Sequence, residues 1–181
     1  MGAKHWIFRV HDGENFRNSQ YPFWGVKKGR GGCFKTIVKK MKKGDILWFL
    51  TSKPYGGKLI AMAEYTCYYD RDDEPLISVN TFSNEQQHWK GAENWSIQIH
   101  YKNLYVTERQ NITAIIQCSA VILEYTTFKD KGLPDLPYHY KMFKYYAEPV
   151  LREYSETPTN TTLPTSLQQQ TPLLPVQLAS P

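Results

Sequence analysis

The stretch Asp45–Tyr69, "DILWFLTSKPYGGKLIAMAEYTCYY", sets two apolar runs on either side of the turn-forming "KPYGGK". A proline and paired glycines punctuate the chain, so the flanking runs predict a long hairpin over Ile46–Tyr69. "ILWFL" has the length and composition of a buried strand. Just upstream, Phe34, Ile37, Val38 and Met41 recur at i, i+3, i+4 and i+7. That spacing predicts an amphipathic helix over Cys33–Lys43. Lys35, Lys39, Lys40, Lys42 and Lys43 cover its other faces, and Gly44-Asp45 ends it.

The remaining signals fit around that hairpin. "HWIFRVH" (His5–His11) is rich in strand formers and predicts the first strand. Asp12 to Pro22 is polar and reads as a loop. In "WSIQIHYKNLYV" (Trp95–Val106), Trp95, Ile97, Ile99 and Tyr101 alternate with polar residues, the pattern of a half-buried strand. Ile112–Tyr125 fits either a strand or a buried helix. Tyr138–Tyr154 is aromatic and helix-like, with Pro149 kinking or ending it. Strands before, between and after a few helices, without βαβ alternation, predict an α+β fold with a mixed or barrel-like sheet.

The domain is expected over residues 1–155. From Glu156 to Pro181 the chain has five prolines, many Thr and Gln, and no Lys or Arg. Proline at that density blocks helix and ladder alike, so 156–181 reads as a disordered tail. It is either a solvated tether or a docking segment for a protein partner, through Leu173-Leu174-Pro175-Val176. Cys33, Cys67 and Cys118 are far apart and form no metal-ligand spacing, as expected of reduced thiols. Reduced thiols and the absence of a signal-peptide pattern read as an intracellular protein, cytoplasmic or nuclear, and with no apolar run of membrane-spanning length no membrane partner is expected. The sequons at Asn94, Asn111 and Asn160 read as chance matches in such a protein.

Net charge is +5, but from Lys27 to Gly44 there are eight basic residues and no acid. The rest of the chain is therefore net acidic, and the positive field is local, the footprint of a polyanion site. Lys27, Lys28, Arg30, Lys39, Lys40 and Lys43 are the candidate phosphate contacts; a solvated helix face is the alternative. "FWGVKKGRGG" (Phe23–Gly32) sets Trp24 directly ahead of these cations. The glycines of this loop permit close approach to a phosphate, yet "GxxxxGK[ST]" is absent. The five histidines form no catalytic motif, and "DRDDEP" (Asp70–Pro75) reads as an exposed turn rather than a metal site. The expected function is non-enzymatic, with no cofactor and no metal.

Trp24-Gly25-Val26, Lys43-Gly44-Asp45, Phe49 to Ser52 and Ile60 to Glu64, in that order and spacing, resemble the EVE domain and its YTH relatives in the PUA-like superfamily. The resemblance covers Lys4–Tyr69 and continues through "NWSIQIHY"; it departs where the family often carries a glycine, here Ala61 or Ala63. It implies a PUA-like mixed β-barrel with a few flanking helices, whose concave face holds a nucleic-acid base, methylated in the YTH relatives. Trp24 holds the family's tryptophan position and would form one wall, unless it is a core residue packing the helix on the barrel. Trp89, in the polar loop "SNEQQHWKGAEN", is the candidate second wall, with simple edge packing as its alternative. Phe82 is a further aromatic candidate, and Trp48 reads as core. Asn15, in a loop where YTH domains place an asparagine, would read the base edge, unless it is an ordinary turn residue. Ser52 is a further base or sugar contact. The expected partner is DNA or RNA, with a flipped or unpaired base in the pocket. A sequence-independent nucleic-acid-binding module, a PUA-like nuclease and an adaptor acting through its tail are the alternatives.

Overall fold

The computed structural model describes residues 2–73, 82–107, 122–124, 140, 145 and 147–154. The 156–181 tail, Glu74, Cys118, the sequons at Asn111 and Asn160 and most of Ile112–Tyr125 lie outside the described residues. The elements run β1 (His5–Arg9), α1 (Glu14–Asn18), β2 (Phe23–Val26), α2 (Cys33–Val38), β3 (Ile46–Leu50), β4 (Leu59–Asp70), α3 (Asn84–Gln87), β5 (Ile97–Val106), β6 (Ile122–Glu124) and β7 (Glu148–Val150). The strands form a seven-stranded sheet in the order β2-β5-β4-β3-β1-β6, with β7 also on β5. It curls into a half-barrel with few helices, a mixed α+β architecture.

The hairpin expected from sequence is present: β3 and β4 pair antiparallel from Ile46↔Glu64 to Leu50↔Leu59. On its other side β3 pairs parallel with β1, Trp6 opposite Leu47 and Phe8 opposite Phe49. Trp6, Phe8, Leu47, Phe49, Ile99 and Tyr101 fill the concave core. Trp48 is also fully buried, its indole N–H donating to His5 Nδ1 at 2.8 Å.

Three local readings change. The Asp12–Pro22 segment contains α1, which buries Phe16 completely. A five-residue helix with one buried apolar residue is too short to show a helical period. The basic helix stops at Val38 instead of Lys43. Lys40 and Met41 then make tighter bonds to the Ile37 and Val38 carbonyls, and the Lys42 N–H turns to the Asp45 carboxylate. Third, Pro149 lies within β7, opposite Tyr105. Proline is tolerated there because β7 is a short edge strand and needs no N–H on its open side.

Asp45 explains the "KKGD" turn. Its carboxylate is buried and accepts from Lys4 N at 3.1 Å, Lys42 N at 3.0 Å and Trp6 Nε1 at 2.8 Å. One side chain thus ties the start of β1 to the turn that feeds β3. Asp45→Ala strands three donors, and leaving such groups unsatisfied costs about 3 kcal/mol in total. Urea denaturation of Asp45→Ala, with Asp45→Asn as the milder control, should show that loss.

β5 is buried on both faces over Ile97–Tyr101, not half-buried as its alternation predicts. Ile97, Ile99 and Tyr101 face the main core. Gln98 and His100 lie under a second aromatic cluster of Phe23, Phe82, Trp89 and Trp95. Gln98 donates to the Phe82 carbonyl at 3.5 Å, which directs its Oε1 to His100 Nε2, 3.3 Å away. His100 Nδ1 meets the Tyr154 hydroxyl, which also donates to the Pro22 carbonyl at 3.3 Å. Burial pushes His100 down to about 3. The unfolded chain therefore takes up a proton below about pH 6.5 that the folded chain refuses until about pH 3. Stability should fall across that window by up to ~1.4 kcal/mol per pH unit and be unaffected by this group above it. In His100→Gln, denaturation midpoints measured from pH 7 to pH 4 should lose that part of the slope.

Candidate functional site

The second cluster depends on a missing side chain. Gly25 pairs with Gln98 across β2 and β5, and a Cβ there would sit 2.5 Å from the Trp95 ring. Glycine lets the indole lie directly on the strand. On Trp95 the Arg71 guanidinium sits 4.3 Å from the ring centroid, a cation–π contact, and Arg71 pairs with Glu93. Burial would raise Glu93, but the Asn84 N–H and Arg71 outweigh it and hold the carboxyl below its usual range. The Trp95 N–H donates to Asn84 Oδ1 at 2.5 Å.

Trp89 joins this wall with its centroid 5.3 Å from Trp95 and 5.0 Å from Trp24. Its N–H donates to Ser19 Oγ at 2.8 Å. Trp24 is half-buried and meets Phe16 edge-on at 5.8 Å. The three tryptophans border a cavity of about 420 Å³. Asn15, Ser52, Lys27, Arg9, Lys90 and Asn94 also line it, and no carboxylate does so among the described residues.

Of the base-contact candidates, Trp24, Trp89, Asn15 and Ser52 thus share one cavity although they lie in four separate segments. Phe82 instead stacks on Tyr21 at 4.2 Å in the second cluster. The expected phosphate contacts divide. Lys27, Arg30, Lys39, Lys40 and Lys43 are exposed and make no ion pair among the described residues; of these, Lys27 lines the cavity. Lys28 is engaged by Asp70 at 3.1 Å and Asp72 at 2.6 Å, and Lys35 by Asp70 at 2.6 Å and Asp73 at 2.8 Å. Hydrogen bonds to Asp72 and Asp70 raise the Lys28 ammonium above its ordinary range, and those to Asp70 and Asp73 raise Lys35. Burial would raise Asp70, whose side chain is 2% exposed, but Lys35, the Asp72 N–H and Lys28 hold it low. The "DRDD" turn is therefore the counter-charge of the basic loop, with Asp70 buried and not exposed as its composition suggests. Gly29, at φ 78°, folds that loop back so that Cys33 and Phe34 approach its main chain.

Sequence reading placed Trp95 at a strand opening and missed it as a wall. The signal available was Gly25 inside a strand, a position that often marks close approach by another group. Arg9 was hidden inside a strand, where it is 5% exposed with Nη1 on the Thr51 carbonyl at 2.8 Å. Among the described residues no group of three His, Cys, Asp or Glu could hold a metal. No helix among them is long and apolar enough to cross a membrane.

No family model matches the chain, and no curated protein does. Among solved structures, a hypothetical protein from Leishmania major is similar at 14% identity and a TM-score of 0.36, covering 93% of this chain and 98% of that one. A likeness at that score bears on neither fold family nor function.

The seat of Trp95 is testable. Gly25→Ala forces a methyl into the indole, and overpacking of that kind costs about 1–3 kcal/mol. A lowered urea midpoint with red-shifted tryptophan emission is the expected result.

Proposed function

We propose that this chain is a non-enzymatic nucleic-acid-binding module on a PUA-like barrel of the EVE and YTH kind. It receives a flipped or unpaired base, methylated or plain, in the cavity bordered by Trp24, Trp89 and Trp95. The exposed cations Lys27, Arg30, Lys39, Lys40 and Lys43 hold the phosphate backbone. The observation that carries this reading is the cavity itself: a half-buried tryptophan, further indoles, amide and hydroxyl groups and exposed lysines converge on one space, with no carboxylate among the described residues. A base must leave its stack to enter such a pocket. Stacking on an aromatic side chain is worth ~1–3 kcal/mol, and burying a methyl adds about 0.8 kcal/mol. The pocket would therefore prefer a methylated base only several-fold.

A second reading has its own support. Both faces of Trp95 are covered, by Gly25 and Arg71, and Trp89 is 8% exposed. If only Trp24 stacks, the chain is a sequence-independent nucleic-acid-binding module.

The test is fluorescence anisotropy with single- and double-stranded DNA and RNA, each with and without one methylated base, at several salt concentrations. Trp24→Ala should weaken binding about tenfold and abolish any preference for the methylated base, with the fold intact. Each phosphate contact on a single strand contributes about 0.7 to the salt slope. Lys27→Ala and Arg30→Ala should each lower the slope by roughly that amount. Lys28→Ala, whose charge Asp70 and Asp72 already engage, should leave it unchanged. Equal affinity for every base with the slope preserved favours the sequence-independent module. No binding to any polymer at low salt ends the nucleic-acid reading.

A further inference from the structure

The cavity holds several polar side chains, and their hydrogen bonds separate those that build it from those left to recognise a ligand. Asn15 belongs to the first group. Its Nδ2 donates to the Lys90 carbonyl at 3.0 Å and its Oδ1 accepts from the Lys90 N–H at 2.9 Å, so both ends of the amide hold the backbone of one residue. Lys90 Nζ reaches Glu14 at 2.8 Å and the Trp89 N–H reaches Ser19, which adds two more ties between α1 and the tryptophan loop. Turning Asn15 toward a ligand would break two backbone bonds and release that loop. Asn84 is similarly spent, accepting from Trp95 and donating to the Gly91 carbonyl at 3.2 Å.

Ser52 and Asn94 differ. Both line the cavity, and among the described residues neither side chain makes a hydrogen bond. Their main chains are nevertheless held. Ser52 N donates to the His11 carbonyl at 2.7 Å, while its own carbonyl accepts from Tyr55 N at 2.9 Å. Asn94 N donates to the Ala92 carbonyl at 3.0 Å, and the next residue is Trp95, seated on Gly25. On these held main chains the exposed Asn94 amide and the half-buried Ser52 hydroxyl suit recognition, because each group can both donate and accept.

We propose that Asn94 and Ser52 are the specificity-determining residues of the cavity, reading the hydrogen-bonding edge of the base, and that Asn15 is a positioning residue that holds the Trp89 loop. The assignment rests on the reading of the cavity as a base pocket. Asn94 supplies the donor and acceptor needed for a two-point contact with a base edge, and Ser52 supplies a third point.

The experiment uses the full chain and single-stranded oligonucleotides identical except for one central A, C, G or T. Affinities are compared for wild type and for Asn94→Ala, Asn94→Asp, Ser52→Ala, Asn15→Ala and Trp24→Ala, with thermal melts to confirm folding. The readout is the ratio of the strongest to the weakest affinity across the four bases. Asn94→Ala and Ser52→Ala should each shrink that ratio roughly three- to tenfold, the worth of one neutral hydrogen bond, with an unchanged melting temperature. Asn94→Asp keeps the shape but only accepts, so it should reorder the four bases. Asn15→Ala should lower the melting temperature and weaken all four bases by one common factor. If Asn15→Ala shrinks the ratio while Asn94→Ala and Ser52→Ala do not, the assignment is overturned. If Trp24→Ala loses binding but neither Asn94→Ala nor Ser52→Ala alters the ratio, the assignment alone falls. If wild type ranks all bases equally and Trp24→Ala binds as wild type, the base-pocket reading falls and this assignment with it.

Discussion

Burial of both faces of β5 is the constraint from which the rest follows. The strand carries Gln98 and His100 on its second face, and these must be both covered and hydrogen-bonded to sit in an apolar layer. The cover is the cluster of Phe23, Phe82, Trp89 and Trp95. That cluster can close only because Gly25 leaves room for the Trp95 ring on the neighbouring strand. β5 in turn pairs with β4 along one edge and with β2 and then β7 along the other. One glycine therefore links the sheet's central pairing to the wall of the cavity.

Electrostatics act on the same region with a different result for neighbouring residues. Lys27 and Lys28 are adjacent, yet one is exposed beside the cavity while the other is bound to Asp70 and Asp72. Both lie just past the end of β2, where only Lys28 is within reach of the acids at the end of β4. Asp70, buried at the end of β4, meets Lys28 from the glycine loop and Lys35 from α2. This pins the basic segment to the sheet and leaves the outward cations, from Lys27 to Lys43, free of acid partners among the described residues. Lys27 is thus left at the cavity while the loop that bears it is held in place.

The polar groups of the cavity divide into those bonded within the protein and those that are not. The N–H groups of Trp89 and Trp95 and the amides of Asn15 and Asn84 are consumed within the protein. Such saturation keeps the indoles in place, because an indole with an unsatisfied buried N–H would carry a desolvation cost. Ser52 and Asn94 line the same cavity with side chains that make no such bond among the described residues.

Much of this was legible in the chain. The β3–β4 hairpin, the first strand, the apolar face of α2 and the separation of Trp48 from Trp24 all follow from local spacing, because strand and helix periods are properties of neighbouring residues. Trp24, Trp89, Asn15 and Ser52 could be proposed from residue type and resemblance, but not their convergence. Only the tertiary structure decided that Lys28 meets Asp70, that Asn15 clasps a peptide 75 positions away, and that Trp95 lies on Gly25. Each of these depends on strand register and on how far the sheet curls. The energy that sets register is spread over the whole packed core, so no single stretch of sequence records it.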